Sequence, residues 1–329
     1  MRILLISHQL DFSGAPLALL NLARTLIELG HTVVLSSLQN GPLGSYFVNA
    51  GVAPLQSGDH PGGDFDLLIA NTSPSVGAAV HLAGTSTRVV AWIHESRDFF
   101  IRTRSSPSSL GFDKLFAMAL PTRFQKKELQ PLTASLACFH LPNRVELSPE
   151  EPSTAPDVEA APYWVCCGPW TKRKNQQTLL ALLDQCRIAA AIRFLGASPP
   201  AGLPPGRHAW TGKLPPAQAH ALIRRSRGLV SCSRAEVQPL SVIESLLAGN
   251  PVLLSDIPAH RELFEACPDI NLFSLHQPAT FVQGWQRMQQ QWQDPACRAR
   301  LQQFAQVTFG RAQFRQNVAA LLQSCQSAS

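Results

Sequence analysis

Short apolar runs alternate with helix-patterned segments along most of the chain, and the alternation restarts once after an aperiodic stretch rich in proline and acids. Apolar runs without polar alternation suit strands covered on both faces, and parallel strands need helical crossovers, so this order constrains the fold most. Residues 3–7, 33–38, 67–70, 89–93, 115–119 and 137–141 read as strands, while Leu19, Leu22, Ala23, Leu26 and Ile27 give helical spacing closed by Gly30. Residues 146–162 lack periodicity and read as a linker. Beyond them come strands at 164–167, 192–195, 208–211, 229–232 and 252–255, with helices at 175–186, at 216–225 and after Pro239. The Gln- and Arg-rich tail from 281 to 323 keeps apolar residues at helical intervals and reads as terminal helices.

At 329 residues the chain exceeds what one core usually serves. The expectation is an α/β protein of two Rossmann-like, doubly wound domains facing a central cleft. The N-terminal domain covers 1–147, the linker 148–162 and the second domain 163–305, with a terminal helix over 306–329 packing back on the first domain. Ligands of such sheets bind at the carboxyl ends of the strands.

Composition removes several classes. No apolar run approaches the roughly 20 residues that span a bilayer, and the apolar run near Met1 is too short for a signal-peptide core, so a cytoplasmic protein is expected. The eight cysteines (138, 166, 167, 186, 232, 267, 297, 325) show no metal-ligand spacing and read as buried thiols, so no metal is expected. The net charge of +6 includes a basic stretch over 97–127, with Arg97, Arg102, Arg104, Lys114, Arg123, Lys126 and Lys127 against Asp98 and Asp113. A solvated face is the plain reading. With Phe99, Phe100 and Ile101 beside it, the sharper one is peripheral contact with anionic lipid at the inner face of a membrane, or reception of an anionic acceptor. No nucleic-acid motif accompanies the charge. The loop at Gly14 lacks the three-glycine dinucleotide fingerprint, which argues against a nicotinamide or flavin enzyme.

The second half carries Glu236 and Glu244, which bracket a loop-to-helix junction at Pro239, with Gly249 ending the helix. A helix start offers free N–H groups to an anion, so flanking acids suit a polyhydroxylated, phosphorylated ligand. The run Lys172-Arg173-Lys174 connects another strand to a helix; solvated surface is the plain reading of such a charge run, and the sharper one is that cations beside helix N–H groups neutralise a departing diphosphate. In the first half, Ser13-Gly14-Ala15 follows the first strand and His94-Glu95 ends another.

Together these positions resemble the family-four retaining glycosyltransferases of the GT-B fold, over nearly the whole chain. The matching stretches run in order: Ser13-Gly14-Ala15, His94, 141–145, 168–175, Arg193-Phe-Leu-Gly196, Trp210-Thr-Gly212-Lys213-Leu214, 231–236 and 244–258. The resemblance implies that Glu236 holds donor-sugar hydroxyls and Glu244 the nucleotide ribose. Amides around Pro239, Leu240 and Ser241 would face the diphosphate and sugar, with Lys174 balancing the phosphate charge and Lys172 and Arg173 as further donor-side cations. Gly14 and Ala15 would close the phosphate side, His94 would contact the sugar near the reacting centre, and Gly196, Lys213 and Leu214 would lie around the base. Glu236, His94 and Lys174 form the implied catalytic set.

Departures are specific. Pro169 stands where the family commonly has arginine, Val237-Gln238 replaces Gly-Phe after the first acid, and Asn143-Arg144 replaces Asn-Gly. Gln238 therefore bears on how the donor sugar is held. The implied activity is transfer of a sugar from a nucleotide-diphosphate donor, UDP-linked in preference to GDP-linked, to a glycan or lipid-linked hydroxyl acceptor. The anomeric configuration is retained, no cofactor is needed, and cell-surface polysaccharide assembly is the family-level default. The alternatives are a catalytically silent sugar-nucleotide-binding protein and, behind it, a nucleotide-sugar epimerase.

Overall fold

In the computed structural model the described residues are 1–56, 65–85, 87–103, 110–133, 136–149, 162–198 and 206–327. They divide into two compact units, Met1–Val145 with Phe309–Ser329, and Glu146–Thr308. The expected linker therefore falls largely on residues outside those described, as does Arg104 of the basic stretch.

The first unit contains β1 (Arg2–Ser7), α1 (Gly14–Glu28), β2 (Thr32–Ser37), α2 (Gly44–Asn49), β3 (Ala53–Pro54) and β4 (Leu67–Asn71). After these come α3 (Val76–Leu82), β5 (Arg88–Trp92), α4 (Arg97–Thr103), β6 (Ala117–Leu120), α5 (Arg123–Leu129) and β7 (Ala137–His140). The strands form one sheet in the order β3-β2-β1-β4-β5-β6-β7, with every pairing parallel. Period-two geometry sends alternate residues of β1 to opposite faces. Ile3 and Leu5 join one core with Leu19, Leu22 and Leu26 of α1, while Leu4 and Ile6 join the other with Val76 and Ala79 of α3.

The second unit contains β8 (Tyr163–Cys167), α6 (Gln176–Gln185), β9 (Ala191–Leu195), β10 (Ala209–Trp210), α7 (Pro216–Arg225), β11 (Leu229–Ser231) and α8 (Leu240–Leu247). It continues with β12 (Val252–Ser255), α9 (Pro258–Ala266), β13 (Asn271–Phe273), α10 (Pro278–Gln293) and α11 (Pro295–Phe309). Its sheet runs β10-β9-β8-β11-β12-β13, again all parallel. That is the doubly wound order, with a switch point between β8 and β11. Phe281, Trp285 and Met288 of α10 are buried against Trp164, Phe194 and Phe273.

The last helix, α12 (Arg311–Ser327), lies in the first unit. Phe314, Val318, Leu321, Leu322 and Cys325 form one helical stripe in the α1-side core, and Arg311 Nε meets Glu28 Oε2 at 3.0 Å.

Several sequence expectations need correction. The strand expected at 115–119 lies at Ala117–Leu120, because Phe112–Lys114 close a 3-10 turn before it. The one expected at 208–211 is only Ala209–Trp210. The two-residue Ala53–Pro54 and three-residue Asn271–Phe273 strands carry no readable period. Not all cysteines are buried: Cys138, Cys167 and Cys186 are partly exposed, and all eight are free thiols. Of the apolar trio in the basic stretch, Phe100 is buried against Phe112, and only Ile101, 61% exposed, presents its side chain fully. Among the described residues no helix is long and apolar enough to cross a membrane.

Because Phe314 is buried and its ring lies 6.1 Å from Trp92, Phe314→Ala is expected to destabilise the protein by about 3–5 kcal/mol. Denaturant unfolding against the parent chain measures this.

Candidate functional site

At the switch point of the second unit, the loops leaving β8 and β11 are stitched together. Gly168 adopts φ +118°, and a Cβ there would lie 2.7 Å from Lys174 Cε, so glycine lets the Lys174 stem fold back across the strand end. Asn175, at φ +55°, donates from Nδ2 to Cys232 O at 3.1 Å, and Arg234 N donates to Arg173 O at 2.8 Å. This brings Lys174 Nζ to 2.7 Å from Glu236 Oε1 and Arg173 Nη1 to 2.8 Å from Glu236 Oε2. Ser233 Oγ donates to Glu236 Oε1 at 2.7 Å. The Glu236 side chain is only 7% exposed. Burial by itself would raise its carboxyl, but Lys174, Arg173 and the hydrogen bonds from Lys174 and Ser233 outweigh burial and hold it at about 2.

The cationic run does not act as one cluster. Lys172 lines a cavity of about 540 Å³ with Trp170, Thr171, Asn175, Gln177 and Arg234, whereas its two neighbours meet the Glu236 carboxylate.

Helix α8 starts beside this carboxylate. Pro239 is its N-cap rather than its first helical residue and has no N–H, so the groups available to an anion are the amides of Leu240 and Ser241. The Pro239 carbonyl takes the amides of Val242 and Ile243 at 3.2 and 3.4 Å. Burial pushes the Cys167 thiol well up, keeping it protonated beside Ser241. Val237 is buried, whereas Gln238 is partly exposed. Further along the helix, Glu244 Oε1 lies 3.4 Å from His220 Nε2. Ser148 N donates to His220 Nδ1 at 2.9 Å, so Nε2 carries the proton that faces Glu244.

Gly196, at φ +82°, follows β9, and its N–H donates to Gly212 O at 2.9 Å. Gly168 N donates to Leu195 O at 2.8 Å, which sets Gly196 beside the same strand ends. Lys213 is exposed and Leu214 partly buried just beyond β10.

The first unit carries a separate polar cluster at its own strand ends. Gly14 and Ala15 open α1, and Ser13 at its N-cap is fastened to Asp11 by backbone and side chain. His94 Nε2 lies 3.0 Å from Asn71 Oδ1, and Asn71 Nδ2 donates to Ala15 O at 3.1 Å. Thr72, at φ +84°, is held by a 2.9 Å contact from Oγ1 to His8 Nδ1. Glu95 accepts from Ser73 N, Ser73 Oγ and His94 N. Burial raises its carboxyl against those hydrogen bonds. Burial, with His8 adding to it, lowers His94 to about 3.

Thus the structure brings Glu236, Lys174 and Arg173 together beside Leu240 and Ser241, and brings His94 and Ala15 together through Asn71. Sequence reasoning missed Ser233, His220, Asn71, Thr72 and Ser73. Polar residues ending an otherwise apolar strand, as at Asn71, are the available signal. Among the described residues no group of three or more His, Cys, Asp or Glu is placed to hold a metal.

Residues 1–118 match the model of Glycosyl-transferase family 4. No curated protein sequence matches the chain. Among solved structures, HepE of Anabaena in complex with UDP-glucose aligns with a TM-score of 0.78 at 16% identity, over 98% of this chain and 100% of that one. Sucrose-phosphate synthase from Thermosynechococcus elongatus aligns at 0.74 and 15% identity over 100% of both chains. WaaG, a glycosyltransferase involved in lipopolysaccharide biosynthesis, aligns at 0.66 and 10% identity over 99% of this chain and 100% of its own. The fold is the α/β GT-B fold of these glycosyltransferases.

The depressed Glu236 carboxyl gives a pH-dependent stability. Its contribution is present above the unfolded value of 4.5 and is lost as pH falls through the folded value of about 2. Glu236→Gln is expected to be less stable than the parent by on the order of 2–3 kcal/mol near neutral pH, with the gap narrowing steadily below about pH 5. Urea unfolding at a series of pH values reads the gap, and a pH-independent gap would contradict the ion-pair account.

Proposed function

We propose that this chain is a retaining glycosyltransferase that moves a sugar from a nucleoside-diphosphate donor to a hydroxyl acceptor. The observation that carries the reading is the convergence of Glu236, Lys174 and Arg173 on the start of α8 at the sheet's switch point, where doubly wound folds bind ligands. The family match over residues 1–118 and the fold shared with HepE, whose structure holds UDP-glucose, support a UDP-sugar donor in preference to a GDP-sugar.

In this reading the diphosphate draws Lys174 and Arg173 from Glu236, and Glu236 is released to sugar hydroxyls. The acceptor oxygen attacks the anomeric carbon on the face the diphosphate leaves. The carbon–oxygen bond to phosphate breaks with its electrons going to the diphosphate, and a phosphate oxygen takes the acceptor's proton. Developing charge is met by the two cations and by the Leu240 and Ser241 amides, in place before reaction. Glu244 holds the ribose, Gly196, Lys213 and Leu214 surround the base, and Gln238 helps to set the sugar. Gly14 and Ala15 meet the phosphates, and His94 meets the sugar. The reading calls on no metal or cofactor. The acceptor is a glycan or a lipid-linked hydroxyl compound, with the basic 97–127 stretch and exposed Ile101 resting on an anionic cytoplasmic membrane face.

Glu236→Gln is expected to lower transfer by about 10²–10³-fold while nucleoside diphosphate still binds, and Glu244→Gln to weaken nucleotide affinity about tenfold with less effect on turnover. Lys174→Ala is expected to weaken diphosphate binding itself. Nucleotide release from a panel of sugar nucleotides, with and without acceptors, together with calorimetric binding of the nucleoside diphosphate, measures all three. Normal turnover by Glu236→Gln would sink the assignment, and binding without turnover by the parent chain across the panel would point to a silent sugar-nucleotide-binding protein.

A further inference from the structure

Asn71 ends β4 and is fully buried, with its two side-chain ends placed against different partners. One end lies 3.1 Å from the carbonyl of Ala15, which can only accept, so that end is Nδ2. The other end is then Oδ1, and it faces His94 Nε2 at 3.0 Å. An amide oxygen only accepts, so Nε2 must donate. The backbone frame leaves little freedom to this pair. Asn71 sits opposite Trp92 in the β4–β5 ladder, Ser75 Oγ donates to its carbonyl at 2.9 Å, and the Glu95 carboxylate ties His94 N to Ser73 N. The Trp92 ring lies 4.7 Å from the imidazole.

We propose that Asn71 is a positioning residue that fixes His94 as the neutral tautomer with its proton on Nε2, leaving Nδ1 as the one nitrogen offered to a ligand. The inference rests on the reading of His94 as a sugar contact and adds to it. With Nε2 committed to Asn71 and burial keeping the ring neutral, His94 meets its ligand only as a hydrogen-bond acceptor. The group opposite Nδ1 must therefore carry a hydrogen. A sugar hydroxyl satisfies this, whereas the carboxylate of a uronic acid would set lone pairs against a lone pair. The donor class that fits is a neutral hexose with a hydroxyl at that position. The low-lying imidazole is consistent with this, since it stays uncharged throughout the physiological range. Asn71 also makes the arrangement common to two elements, because the same amide holds Ala15 in the first turn of α1.

The test uses the full chain labelled with 15N, with the imidazole nitrogens observed by long-range proton–nitrogen correlation and His94 identified by its loss in His94→Gln. The expected result is an unprotonated Nδ1 and a protonated Nε2 that do not change from about pH 5 to 8. In Asn71→Asp a carboxylate replaces the amide, and His94 is expected to titrate at higher pH than in the parent. In Asn71→Leu the Nε2 signal is expected to lose its single-tautomer character, and transfer from UDP-glucose to fall as far as it does in His94→Ala. A protonated Nδ1 in the parent chain overturns the proposal, and so does an unchanged His94 spectrum in Asn71→Leu. Should the Asn71 variants not fold, the parent spectrum decides alone. If the tautomer is as stated but His94→Ala transfers at the parental rate, the sugar-contact reading fails while the positioning role of Asn71 stands.

Discussion

Both sheets are built only from parallel pairings, and that constraint organises everything else. Parallel strands deliver every strand exit to one edge of the sheet, and the order reversal parts two neighbouring exits so that their loops splay around a space. In the second unit the parted neighbours are β8 and β11, whose loops supply Lys174 and Glu236. In the first unit they are β1 and β4, whose exits supply Asp11, Ser13 and Asn71. The polar clusters are where the topology puts chain that no longer needs to be apolar.

Glu236 with its two cations illustrates what such a place tolerates. Withdrawing a carboxylate and an ammonium from water costs several kcal/mol, and an apolar replacement of equal volume often does as well for stability. The arrangement is therefore poorly explained as a device for holding the fold, and well explained as charge kept in a fixed place. Arg173 is 42% exposed and Lys174 14%, so one cation is easily reached by an incoming anion while the other is already largely desolvated. Pro169 stands where the family resemblance expects a cation, and Arg173, further along the loop, meets Glu236.

How far the sequence disclosed this differs by element, for physical reasons. The central strands were legible because burial on both faces demands uninterrupted Leu, Ile and Val, as in β1 and β12. The edge strand Ala53–Pro54 and the short Asn271–Phe273 were not, because two or three residues cannot display a period, and Asn271 owes its burial to bonds with Val252 O and Gln291. The acid pair around α8 was readable from Pro239 and Gly249, since helix ends have their own chemistry. By contrast, Lys172, Arg173 and Lys174 looked like one patch, and only the folded loop shows that Arg173 and Lys174 meet Glu236 while Lys172 lines a cavity with Trp170 and Arg234. The bond between Asn71 and His94 joins residues 23 apart and depends on the β4–β5 register, which no local pattern encodes.

The helix Arg311–Ser327 closes the hydrophobic face of a unit whose sheet and other helices all lie before position 146. A ribosome thus delivers the whole second unit before the first can bury Leu19, Leu22 and Leu26 fully. Until then the nascent first unit has an open apolar face, the kind of surface that leaves a partly folded chain open to aggregation. The second unit, contiguous in sequence, has no such wait.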